Sequence, residues 1–229
     1  MANEGQTARR FVGEVLANCA ALRSRRFFAV IDRVSFDDTL SALQAHARIM
    51  PELSVVWAPE NRSVVDAYRR GYEEAVKTGA DWILEIDAGF SHQPSDIPLL
   101  LGKMQEGYDC VFGSRFCPGG AMMNSSWRRY ALSYGGTLLA NTLLGTSLTD
   151  MTSGFQLFQR QALQAVLRCG IRSHGPFFQT EMKAHCRQMN VTEVPIQYQS
   201  PTHAVGSAAL GDALLNLGRL LWARVAGRL

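Results

Sequence analysis

The chain lacks any run approaching the 20 or so apolar residues that a helix needs to cross a bilayer, so no spanning segment is expected. Cysteine is scarce and scattered: Cys19, Cys110, Cys117, Cys169 and Cys186 are odd in number and none stands in a close pair. That argues against a disulfide framework or a thiolate zinc site and fits a reducing compartment. Charge of one sign is not in large excess either, because 23 Lys and Arg against 20 Asp and Glu leave a net charge of +3. So mild a balance does not call for nucleic acid as a partner, although it suits an anionic substrate or a membrane surface. No internal repeat, low-complexity linker or second domain is visible. The opening stretch MANEGQTARRF has no apolar core of the kind a secretory signal carries. These absences set the expectation of a cytoplasmic protein, at most peripheral on the cytoplasmic face of a membrane. They say nothing about oligomeric state.

What is present is enough for one packed domain: 229 residues, 47% of them hydrophobic and 19% charged, which rules against disorder. Apolar runs and helical spacings alternate along it. Residues 7–22 have helical apolar spacing at Phe11, Val15, Leu16 and Cys19, and 27–31 read as a buried strand ending at Asp32. A helix over 35–49, a strand over 53–57 and a helix over 64–77 follow, and then a strand from residue 82 that delivers Asp87. Beyond Pro94-Ser95-Asp96, a helix-start signal, come a helix to residue 105, a strand over 108–112, a turn-rich loop and a long helix over 127–144. Helices over 161–167 and 177–189, and a strand over 191–198 interrupted by Pro195 and so expected at an edge, lead to a tail. Such alternation predicts an α/β fold, a mostly parallel Rossmann-like sheet flanked by helices.

In open sheets of that kind ligands sit outside the carboxyl ends of the strands, which places Asp32 and Asp87 at one crevice. Two acids there repel unless a cation or hydrogen-bond donors compensate, as when a metal or a nucleotide is held. Arg115, at a strand end beside glycines, has the fixed fork suited to phosphate. Arg128 and Arg129 open a helix where the dipole disfavours cations, so a nearby anion would suit them as well as plain solvation. In the tail, Leu210, Leu214, Leu217, Leu221 and Val225 share one face, which could meet a membrane surface, the domain or a second subunit.

With these residues placed, the sequence resembles the family 2 glycosyltransferases of GT-A fold, and among them the dolichyl- and polyprenyl-phosphate sugar synthases. Asn3-Glu4 resembles the end of that family's first-strand motif. Asp32 with Ser35, Asp37 and Thr39, and Asp87 with Ser91-His92-Gln93-Pro94, resemble its nucleotide and metal segments. Gly113-Ser114-Arg115-Phe116, Gly119-Gly120, Arg129 with Ser133, Asp150 with Thr152-Ser153-Gly154-Phe155, Phe178-Gln179 with Glu181, and Glu193-Val194-Pro195-Ile196 follow in family order.

The resemblance implies transfer, with inversion, of a sugar from a nucleotide-diphosphate donor to a polyprenyl-phosphate acceptor, helped by a divalent cation, Mg or Mn. It implies catalytic roles for Asp87, Arg115, Arg129 and Glu181, with Asp87 also at the metal. Substrate binding would fall to Glu4, Asp32, Ser114 and Gln179. Glu181 would serve as base if the acceptor were an alcohol. Residues 1–206 would form the transferase domain and 207–229 an amphipathic helix of the same domain or a membrane contact.

Departures from the pattern are equally plain. Gly89 stands where the family has a second acid, and Ser63-Val64-Val65-Asp66-Ala67 stands where it has glycines. Ser200-Pro201-Thr202-His203 and Gly206-Ser207-Ala208 replace two cations near the C-terminus. The apolar strand that should precede Asn3 is missing, leaving only Met1-Ala2. A non-catalytic nucleotide-sugar-binding or scaffold protein of the same fold is the alternative these changes leave open.

Overall fold

The apolar runs fold as strands and the periodic segments as helices in a computed structural model that describes residues 1–200 and 207–229. Residues 201–206 lie outside it, and with them the replacements at Pro201-Thr202-His203 and Gly206. The order is α1 (Ala8–Asn18), β1 (Phe27–Ile31), α2 (Thr39–Ala47), β2 (Leu53–Trp57), α3 (Val64–Lys77), β3 (Trp82–Glu85) and α4 (Ile97–Gln105). It continues with β4 (Cys110–Ser114), β5 (Ala121–Met123), α5 (Trp127–Leu144), β6 (Gln156–Gln159), α6 (Arg160–Cys169), α7 (Phe178–His185), β7 (Val191–Pro195), β8 (Gln197–Gln199) and α8 (Ser207–Val225).

β1 and β2 pair in parallel from Phe27↔Leu53 to Ile31↔Trp57. A four-stranded sheet has the order β3-β6-β4-β7, and β5 pairs with β8 in a small third sheet. The expected parallel character holds for β1/β2, β4/β7 and β5/β8. It fails at β6, which runs antiparallel between β3 and β4, so the central sheet is mixed. β6 is only four residues long, too short to show a period that would mark it as a strand. Three-residue β5 gave no periodicity to find. Pro195 ends β7, the outer strand of its sheet, as a residue without an N–H should.

α3 shows why the local reading worked. Ser63 and Asp66 form a reciprocal capping box at its start, and the helix buries Val65 and Tyr72. α1 inserts Phe11 and Val15 beneath the sheet and Val12 and Leu16 toward β1, joining two clusters of the core. The tail helix packs against α5 and α7 through Leu217 and Leu220. The expected stripe therefore divides: Leu217 is buried, whereas Leu210, Leu214 and Val225 are exposed. No helix among the described residues is long and apolar enough to cross a membrane.

Candidate active site

Asp87, two residues past β3, and Asp32, one past β1, line one cavity of about 820 Å³, as the sheet-edge argument requires. Tyr68 of α3 donates its hydroxyl to Asp87 Oδ1, and His92 Nδ1 lies 3.5 Å from Asp87 Oδ2. Asp32 accepts from the Val34 N–H at 3.1 Å. Glu4 joins these acids through α1: its carbonyl starts the helix at Thr7 and Ala8, while Thr7 Oγ1 donates to its carboxylate at 2.5 Å.

Glu4 also accounts for Gly89. That glycine has φ +76°, and a Cβ built on it would sit 2.4 Å from Glu4 Oε1. The space where a second motif acid would begin is occupied by another carboxylate. Among the described residues no group of three or more His, Cys, Asp and Glu could hold a metal ion. A hard cation takes six or more oxygens, so the residues here do not fit one held chiefly by the protein.

Across from the acids lie the cations. Arg115 is buried and spends its fork on Asp150, with Nε–Oδ2 at 2.7 Å and Nη2–Oδ1 at 2.8 Å, and Nη2 also donates to Thr152. Burial would raise the Asp150 carboxyl, but the Arg115 bonds outweigh it and hold the group at about 2. Lys183, buried beneath, donates to the Asp150 carbonyl at 2.6 Å and stands over the Phe112 ring.

Tyr198 of β8 joins the two halves. The Arg115 guanidinium lies 5.1 Å from its ring centre, Arg129 Nη2 is 3.5 Å from its hydroxyl, and its ring is 5.0 Å from that of His92. The sequence gives no signal for Tyr68 or Tyr198, since single tyrosines in apolar segments read as core, whereas Ser91-His92 belongs to the metal segment marked by the resemblance.

Three expected site residues point elsewhere. The Ser114 hydroxyl meets Thr149 Oγ1 at 2.6 Å and accepts from the Phe116 and Cys117 N–H groups, building the turn that carries Arg115. Gln179 donates to Glu85 and accepts from Gln156, and Tyr72 also donates to Glu85, in a network below the site. Glu181 is fully buried and accepts from the Arg172 and Ser173 N–H groups, the Ser173 hydroxyl and Arg219. So placed, Glu181 ties α7 to α8 and is not poised as a base. Buried polar groups must find partners, and at these three positions the partners are the protein's own.

His92 departs from that rule: it is 1% exposed, and neither ring nitrogen has a hydrogen-bond partner. Burial pushes its pKa from 6.5 down to about 4 despite the pull of Asp87. Between those values the unfolded chain binds a proton that the folded one refuses, so stability is lost as pH falls through this window. At about 1.4 kcal/mol per unit the effect is about 3 kcal/mol. Glu85 works oppositely: burial holds its carboxyl well above 4.5, so its contribution is lost as pH rises from 4.5 toward the folded value. Urea titrations of the protein and of His92→Phe are expected to show the variant gaining relative stability by about 3 kcal/mol from pH 7 to pH 4. A difference independent of pH would mean that His92 is charged in the fold.

The sequence model described as "Glycosyl transferase family 2" matches residues 1–167. An undecaprenyl-phosphate mannosyltransferase of Micrococcus luteus is 31% identical over 195 residues, 83% of this chain and 80% of its own length. A polyprenol monophosphomannose synthase of Mycolicibacterium smegmatis is 29% identical over 199 residues, 86% of this chain and 74% of its own. Among solved structures, the fold is similar to glucosyl-3-phosphoglycerate synthase of Mycobacterium tuberculosis, in complex with Mn2+, UDP and phosphoglyceric acid. The TM-score is 0.63 at 17% identity, over 100% of this chain and 75% of that one.

Proposed function

Because the chain belongs to glycosyl transferase family 2, we propose that it moves a sugar, with inversion, from a nucleoside-diphosphate donor to a polyprenyl phosphate. The printed activities of the two bacterial relatives support this choice of acceptor. The observation that carries it is the state of the acceptor-side carboxylates. Glu181 is saturated by four donors and Asp150 is locked to Arg115. An alcohol would need one of them as general base, whereas a phosphate monoester is already anionic near pH 7, its second pKa being about 6.

In this reading Asp32 and Glu4 hold the nucleoside side of the donor, and Asp87, oriented by Tyr68, meets the sugar-diphosphate. Arg129 and the outer edge of Arg115 take the acceptor phosphate, with Tyr198 between the two substrates. Catalysis then rests on holding two anionic partners in line and offsetting charge on the leaving diphosphate. No step is routed through a metal, since Asp87 is the one acid of the metal motif left here.

A membrane surface would bring the lipid acceptor within reach. α5 buries only Thr137, Ala140 and Leu144, and it exposes Tyr130, Leu132, Tyr134, Leu138 and Leu139, with Trp127 75% exposed beside Arg128. An apolar face with aromatic and cationic residues at its start suits a headgroup boundary. Residues 207–229, packed on α5, belong in this proposal to the same domain.

The test is transfer of radiolabelled sugar from GDP-mannose and UDP-glucose to undecaprenyl phosphate in phosphatidylglycerol vesicles, beside vesicles carrying the free alcohol undecaprenol. Label is expected in the lipid phase with the phosphate alone, the product having the opposite anomeric configuration to the donor. Equal transfer to the alcohol would overturn the acceptor assignment. Donor-induced thermal stabilisation without transfer to either would instead favour a non-catalytic nucleotide-sugar-binding protein.

A further inference from the structure

Lys183 of α7 is a buried cation that meets no substrate: it is 1% exposed, and its ammonium donates to the Asp150 carbonyl at 2.6 Å. At the other end of the same residue's main chain stands Glu193 of β7. One of its carboxylate oxygens accepts from the Asp150 N–H at 2.9 Å and the other from the Thr149 N–H at 2.6 Å. The main chain of Asp150 is thus held between a cation and an anion, each bonded to the group whose partial charge it matches. Its side chain takes a third hold, the fork of Arg115. The rest of the turn is bonded by neutral groups: the Met151 N–H donates to Thr137 at 3.1 Å, the Met151 carbonyl accepts from Thr180 at 3.0 Å, and Asn141 donates to the Leu148 carbonyl at 2.7 Å.

Those neutral donors show that the shape of the turn does not by itself call for a lysine, and burying an ammonium is costly. What they cannot supply is charge. Arg115 and Lys183 bring two positive charges to this turn, and Asp150 and Glu193 bring two negative ones, so the set balances. Burial pulls the Lys183 ammonium down from 10.5, while Asp150 and Glu193 pull it up, so these two acids favour its charged form. Without Lys183 the two acids outweigh Arg115. Arg115 Nε and Nη2 are engaged with Asp150, which leaves Nη1 as the corner of the guanidinium for a substrate.

We propose that Lys183 is a positioning residue for the acceptor phosphate: from beneath Asp150 it offsets the acids of the turn, so that Arg115 keeps a positive corner for an anion although its fork is occupied. The inference rests on the acceptor assigned above and adds the residue that keeps the buried Arg115–Asp150 pair from cancelling itself. A neutral pair attracts phosphate weakly, whereas a second cation below it, in a low-dielectric interior, is felt through the pair. The rings of Tyr198 and Phe116, centred 5.1 and 5.2 Å from the Arg115 guanidinium, limit the water that would screen it. Lys183 and Glu193 hold the same turn, yet on this account their charges act on the phosphate with opposite sign.

Calorimetric titration of the full chain with farnesyl phosphate, beside farnesol, is the test. Lys183→Met, of similar volume, is expected to bind farnesyl phosphate about tenfold more weakly and a GDP- or UDP-sugar within about threefold of the parent. Turnover should divide in the same way, with KM for undecaprenyl phosphate rising about tenfold and kcat staying within about twofold. Glu193→Gln is expected to tighten farnesyl phosphate, since it removes an acid and retains an acceptor for the turn. If the turn were merely structural, both variants would weaken both ligands; that result, or unchanged phosphate affinity in Lys183→Met, would overturn the inference. Should Lys183→Met fail to fold, Glu193→Gln decides alone, and equal or weaker phosphate binding overturns it. A parent chain that binds farnesyl phosphate no better than farnesol would instead remove the acceptor reading, and this inference with it.

Discussion

Replacing Arg115 with alanine is expected to abolish transfer and to cost about 3–5 kcal/mol of stability, the usual result of stranding one partner of a buried ion pair. Asp150 is fully buried, and Arg115 is the one cation bonded to its carboxylate among the described residues, with two side-chain bonds and a backbone bond beside the neutral donors of Thr152 and Ser153. Arg115→Lys keeps the charge but loses the fork, so it should recover only part of the stability. Arg115→Ala paired with Asp150→Asn should recover more stability than Arg115→Lys does, while remaining inactive. The measurements are thermal melting, donor titration with UDP- and GDP-sugars, and turnover. Donor affinity within a few-fold of the parent, beside lost turnover in the stabilised double variant, would place Arg115 on the acceptor side. Parallel loss of donor binding would move it to the donor side, and unchanged melting would contradict the buried pair.

Restoring the family's second acid by Gly89→Asp is expected to damage the protein rather than improve it. A non-glycine residue at φ +76° costs about 1–2 kcal/mol, and the new side chain starts within 2.4 Å of Glu4 Oε1. It would also add a fourth carboxylate to Glu4, Asp32 and Asp87, raising repulsion where an anionic diphosphate must bind. Calorimetric titration with a GDP- or UDP-sugar should show at least tenfold weaker binding, with a lowered Tm. Glu4→Ala combined with Gly89→Asp should recover part of the Tm by opening the space. Should Gly89→Asp alone bind manganese and donor more tightly than the parent, Glu4 does not fill that place.

The two variants separate what could be read in order along the chain from what could not. Asp32 and Asp87 are legible because an apolar run ending in an acid is a local pattern, and the fold, with α3 leading from β2 to β3, brings both to one cavity. Arg115 and Arg129 stand out in the same way, by their places at a strand end and a helix start. Glu181 and Gln179 were assigned to substrates by motif alone, and their buried surroundings give them internal partners. His92 and Tyr198 come from segments 106 residues apart, so their contact has no trace in either segment.

By itself the amino-acid sequence determined the periodic elements, the α/β class, the family and the acids and arginines that end strands or begin helices. These depend on neighbours within a few residues: side-chain period, capping and turn chemistry. Tertiary structure alone decided that β6 runs against its neighbours, that Glu4 lies over Gly89 and that Arg115 is locked to Asp150. Each is a contact between distant segments, settled by which buried polar group finds which partner when the chain closes on itself.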